Sequence, residues 1–287
     1  GINMIELWKL TGDNRLLESA KLLGELILKW FGGQSLLACS RFDYSETDVL
    51  KIQKDKNDFA APEFHEAPAI FLKKLYEVTG DERYKNQLKN TGDVFAEIYP
   101  DYTIGSALSK NFTYGRLLGL LAAVSDCTGE NYSGVINELL CYFTRLSHPC
   151  GGVGDKGAYV PEDAGDKLLE FAVGFGEGHD SISDVLYCCN TLLAALSILQ
   201  KDKFKGVDME KVSALYDGIT NFLLNIQIKS DDARLDGAWM RAFDMENEEY
   251  YGCHKDFGWG PYCLLSGWVM GAIPLIFLGM LGNGYIY

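Results

Sequence analysis

Residues 75–84 read LYEVTGDERY, and the reading of that stretch decides the fold. Gly80 follows an apolar, helix-spaced run and supplies the left-handed stop that helices favour, while Asp81 and Glu82 place acid where the next helix must start. The same punctuation recurs at Thr11-Gly12-Asp13 and Thr128-Gly129-Glu130. Each copy ends one helical pattern and opens another with almost no spacer, which predicts tight αα-hairpins.

Working outward from these turns, the periodicity predicts about nine helices, over residues 2–10, 14–30, 65–78, 82–99, 112–127, 131–147, 181–200, 208–228 and 262–281. The long connections fall at 31–64, 100–111, 148–180 and 229–261. Short and long connections alternate, so the tight turns are expected at one end of the molecule and the long loops at the other. FTYGRLLGLLAAVSDC, SDVLYCCNTLLAALSIL and YCLLSGWVMGAIPLIFLGML are apolar or small nearly all round, whereas DERYKNQLKNTGDVFAEIY and DMEKVSALYDGITNFLLNIQ keep one polar face. The first kind suits an inner ring of helices and the second an outer ring. No alternation is strong enough to demand a sheet. The expectation is an all-α single domain over 1–287.

Successive hairpins closed by the 75–84 type of turn, together with the aromatic and acidic loop 239–259, resemble the (α/α)6 toroid of six-hairpin glycosidases and their relatives, which include unsaturated glucuronyl hydrolases and sugar epimerases. The resemblance implies an α/α toroid, a carbohydrate substrate and a cleft where the inner helices begin. A full toroid has twelve helices, so the smaller number here predicts an incomplete one, in a chain that lacks its first hairpins. Gly1 leads directly into IELWKL, already the body of a helix. The expectation is therefore a piece of a longer periplasmic or secreted protein, or else a cytoplasmic one.

Composition narrows the partners. The net charge is −14, and an acidic surface repels nucleic acid and anionic membranes alike, so neither is expected. Residues 258–287 carry no charge, but Pro274, several glycines and the lack of a flanking basic cluster favour a buried core helix over a membrane span. Eight cysteines without CxxC spacing and only four histidines give no zinc signature and no disulfide framework. No metal or cofactor is expected, and nucleotide, metalloprotease and α/β-hydrolase motifs are missing.

Four clusters carry the candidate chemistry. Residues 62–66, PEFHE, precede a helix; Glu63 or Glu66 would act as an acid or base with His65 contacting substrate, or the acids simply cap the helix and serve its first turn. Residues 111–116, NFTYGR, set Tyr114 and Arg116 on an otherwise apolar helix, where the arginine needs an ion pair or a ligand. Residues 174–184, GFGEGHDSISD, offer Glu177, His179 and Asp180, with Asp184 one turn on along the same helix, unless Asp180 or Ser181 is only a cap. Residues 229–268, KSDDARLDGAWMRAFDMENEEYYGCHKDFGWGPYCLLSGW, hold three of the five tryptophans, with Trp239, Trp259, Tyr250 and Tyr251 as stacking faces and Arg241, Asp244, His254 and Asp256 as polar contacts.

Glycoside hydrolysis needs one carboxyl group as acid and a second as base or nucleophile. Asp256 facing Glu177 or Asp180 is the best pair, since these residues come from different loops. Arg241, His254 or Lys255 would receive a uronic acid. The expected function is a glycoside hydrolase acting on an oligosaccharide or polysaccharide. The alternatives are a non-catalytic glycan- or protein-binding toroid, a sugar epimerase, or a polysaccharide lyase built on Tyr114, Arg116 and His179.

Overall fold

The structure is a computed structural model, and it describes residues 1–32, 42–43, 51–52, 65–99, 110–154, 181–200, 204–250 and 267–281. Among these, nine α-helices and five short strands occur: α1 (Ile2–Thr11), α2 (Asn14–Phe31), β1 (Phe42–Asp43), β2 (Lys51–Ile52), α3 (Glu66–Thr79), α4 (Glu82–Ile98), α5 (Lys110–Thr128), α6 (Ser133–Leu146), β3 (Ile182–Asp184), α7 (Thr191–Leu199), α8 (Met209–Asn225), β4 (Ala242–Asp244), β5 (Glu249–Tyr250) and α9 (Gly267–Leu281). The all-α class holds. The chain divides into two compact units, one of residues 1–105 and 120–135, the other of residues 106–119 and 136–287.

The TG(D/E) turns are the local machinery of the first unit. Gly12, Gly80 and Gly129 all adopt left-handed backbone, with φ of +71°, +68° and +78°. At Gly80 the preceding Thr79 hydroxyl donates to Leu75 O (2.6 Å) and accepts from Asp81 N–H (3.2 Å). Asp81 then accepts from Arg83 N–H (3.0 Å) and caps α4. Thr11, Asp13 and Arg15 repeat the set at α2. At the third turn the longer Glu130 does not take the capping role. Asn131 accepts from Ser133 N–H instead, so α6 starts at Ser133 rather than at 131.

Helices α1 to α4 pack on one another. Gly24 of α2 lies against Leu75 of α3 and Tyr84 of α4, and any side chain there would strike them. Ion pairs tie the same helices at the rim: Lys74 to Glu6 (2.6 Å) and Arg83 to Glu25 (2.5 Å). In this unit β1 pairs antiparallel with β2.

In the second unit, α7 is buried at every position, and α8 buries Val212, Leu215, Ile219, Phe222 and Leu223 on one face. Both behave as the apolar and one-faced patterns predict. α9 differs. It buries Ile273 and Ile276 but leaves Leu275, Leu278 and Leu281 exposed, so its apolar character does not make it central here. Nor is any helix of the described residues long and apolar enough to cross a membrane.

The largest departure from the sequence reading lies at residues 181–190. A helix is expected from 181, but the chain first forms β3, then a π-helical turn at Val185–Asn190, and only then α7. β3 pairs antiparallel with β4 and β4 with β5, inside the stretch 229–261 expected to be a loop. The three strands are too short to show an alternating pattern, and β3 finds its partner only at Ala242–Asp244, far along the chain, so periodicity within a window cannot find them.

Candidate functional site

The second unit contains a connected set of buried polar groups, built where α5, the 147–154 turn and β3 meet. Asn111 opens α5 and is fully buried. Its amide donates to Gly154 O (3.0 Å), and its carbonyl accepts from the Tyr142 hydroxyl of α6 (2.6 Å). Gly151 takes φ +93° and Gly152 packs against Met245 and Phe222, so the turn can approach its neighbours only because both residues lack a side chain. On the next segment Ser183 lies 3.3 Å from Cys189 Sγ, and burial pushes that thiol up to about 12.

Beside Ser183 stands the central charge pair. Asp184 is fully buried and Arg241 nearly so; the guanidinium Nε donates to Asp184 Oδ2 at 3.0 Å, and a second nitrogen lies 3.0 Å from the same oxygen. Backbone bonds close the ladder around them: Val185 N–H donates to Arg241 O (2.7 Å) and Met245 N–H to Ser181 O (2.8 Å). Asp244 ends β4 by accepting from Glu246 N–H (2.9 Å), Asn247 N–H (3.2 Å) and the Asn247 amide (2.8 Å). Burial alone would push its carboxyl up, but these bonds outweigh burial and hold it below the usual value.

His65 belongs to the first unit, is fully buried and meets Phe95 edge-on at 4.8 Å between ring centres. Tyr114 packs edge-on against Tyr142 (5.0 Å), and burial pushes its phenol up. Arg116 lies over the Phe112 ring at 5.1 Å. Trp239 is buried with its indole N–H on Leu223 O (2.7 Å), so its ring packs in the interior and presents no open stacking face. Tyr250 is held likewise, by Ile226 O (2.7 Å) and Phe243. Asp184 lies on β3 and not on a helix as expected, with its charge matched by Arg241 of the neighbouring segment. Arg241 is accordingly engaged within the protein. Glu63, Glu177, His179, Asp180, Tyr251, His254, Lys255, Asp256 and Trp259 lie outside the described residues.

Sequence reasoning missed three features. Asn111 and Ser183 join the buried set through distant partners and carry no local signal. A further copy of the hairpin bracket is different, because it was readable: Ser230 accepts from Asp232 N–H (3.1 Å), and Asp232 accepts from Arg234 N–H (3.0 Å) and its guanidinium (2.6 Å). SDDAR repeats TGDNR and TGDER with Ser for Thr and Asp for Gly. Among the described residues no three His, Cys, Asp or Glu side chains gather as a metal site requires.

Comparison with known proteins supplies no relative: no family model, no curated protein and no solved structure matches the chain.

Proposed function

We propose that the chain is a carbohydrate-active enzyme, a glycoside hydrolase acting on a neutral or mildly acidic oligosaccharide, with its hairpins arranged as an incomplete α/α toroid. The reading rests on one observation, the pairing of β3 with β4. That pairing sets Ile182 opposite Asp244, and Ser181 O accepts from Met245 N–H. The segment bearing Glu177, His179 and Asp180 thus enters the same small sheet from which the chain runs on to His254, Asp256 and Trp259. Two stretches that each supply a carboxyl group are tied together at their roots, as two-carboxylate catalysis requires. Asp256 is one partner, and Glu177 or Asp180 the other. The buried Asp184–Arg241 pair ties β3 to the start of β4, where the two stretches leave the sheet.

Reducing-sugar release over a glycan panel tests this reading, with Glu177→Gln, Asp180→Asn and Asp256→Asn beside the wild type. Loss of either member of the catalytic pair lowers turnover at least about a hundredfold, the usual contribution of a positioned acid or base. Three variants as active as the wild type would remove the assignment. The internal engagement of Trp239 and Arg241 favours a second reading, a glycan- or protein-binding scaffold without turnover. Glycan binding by calorimetry with no product after long incubation would establish it. A lyase using Tyr114 as base is disfavoured, because burial moves that phenol away from the range of a working base.

A further inference from the structure

The turn at 147–153 holds a second kind of chemistry, independent of the hydrolase reading. His148 N–H donates to Gly152 O and Gly151 N–H to His148 O, both at 2.8 Å, which folds the His148 ring back over Cys150. Its Nδ1 lies 3.3 Å from the Cys150 backbone nitrogen and 3.1 Å from Cys150 Sγ. The backbone N–H can only donate, so Nδ1 is the acceptor and the ring proton is assigned to Nε2. The thiol then donates to the same lone pair. Cys150 Sγ also accepts a bond from Gly152 N–H, a donor already in place for a sulfur anion. Both side chains are half-buried, whereas Cys141 on α6 is exposed and Cys189 is fully buried against Ser183.

We propose that Cys150 is a modification site, a thiol activated by His148 Nδ1 that exchanges with low-molecular-weight disulfides. In the step, His148 Nδ1 takes the S–H proton as Cys150 Sγ attacks one sulfur of the disulfide. A new S–S bond forms to that sulfur, the old S–S bond breaks, and the departing thiolate recovers the proton from His148. Cys150 is oxidised, the departing sulfur is reduced, and no other reactant is needed. Burial pushes the Cys150 thiol above its ordinary value, so the resting group is the neutral thiol and His148 works as base during attack.

The test uses the native full chain and a limiting amount of an aromatic disulfide, 4,4′-dithiodipyridine, with the labelled cysteines located by peptide mass mapping at successive times. Cys141 is the internal standard, an exposed thiol on the same molecule. Cys150 is expected to label at least about tenfold faster than Cys141 despite being less accessible, and His148→Gln to abolish that excess while leaving the Cys141 rate unchanged. Cys150 labelling no faster than Cys141 in the wild type overturns the proposal, as does a folded His148→Gln chain that keeps the ratio. If the variant unfolds, seen as a lost thermal transition, the wild-type ratio alone decides. The outcome is indifferent to whether the chain cleaves glycans.

Discussion

The turn at Gly80 and the sheet at Asp184 use the same kinds of group, a carboxylate, an arginine and a hydroxyl, but their bonds differ in reach. In the turn the bonds that cap the helices join residues two to four apart, Thr79 to Leu75 and Asp81, Asp81 to Arg83, and only the exposed Arg83 guanidinium reaches further, to Glu25. In the second unit Tyr142 reaches back thirty-one residues to Asn111, and Arg241 fifty-seven to Asp184. The turn can form as soon as its own residues are in place. The β3–β4 pairing and the Asp184–Arg241 bond must close a long loop before they form, so they depend on the packing of the whole unit. The difference teaches that local modules can repeat and tolerate change, whereas the long-range set stands or falls together.

The largest effect should come from splitting the buried pair. Asp184→Ala leaves the Arg241 charge nearly buried without its carboxylate, and about 3–5 kcal/mol of stability is expected to go, read from urea unfolding. The double variant Asp184→Leu with Arg241→Met removes both charges and should recover much of that loss. Losses in the single variants Asp184→Leu and Arg241→Met that simply add in the double variant would break the contrast, since independence is the mark of local modules and not of a coupled pair.

A smaller loss is expected in the turn. Gly80→Ala places a Cβ in open space, so the whole cost is the left-handed backbone, about 1–2 kcal/mol. Gly12→Ala and Gly129→Ala meet the same open space and the same positive φ. The three losses should be similar, and Gly80→Ala should add to Asp184→Ala without interaction. Strong coupling between those two sites in a double-mutant cycle would show that turn and sheet are not energetically separate.

The same division sets what the sequence could reveal. Helices α1 to α6 were legible within a few residues because Thr-Gly-Asp chemistry is written in consecutive letters. α8 was legible because one apolar stripe is enough to seat it. β3 was not: Ile182-Ser183-Asp184 continues smoothly into the apolar run of α7, and only its pairing with Ala242–Asp244 makes it extended. Trp239 and Arg241 were found as unusual residues, but a sequence does not say whether an indole or a guanidinium is met by solvent or by Leu223 O and Asp184. Composition singled out residues 229–268 and left the orientation of their side chains open.

Asp244 offers the finest test, because it holds both kinds of bond. It ends β4, a long-range strand, and most of its donors are its own neighbours, Glu246 and Asn247, with the distant Ser181 hydroxyl adding one more. These donors hold the folded carboxyl below the ordinary value of an unfolded chain, despite the opposing push of burial. A depressed folded value stabilises the protein fully above the unfolded value, and that contribution drains away as pH falls through it towards the folded one. Unfolding free energies of the wild type and Asp244→Asn, measured from about pH 6 down to about pH 3, should therefore converge at the acid end, since only the wild type has the charge to lose. A gap that stays constant over that window would mean that the turn after β4 is held by backbone geometry alone, and Asp244 would then belong with the sheet and not with the local brackets.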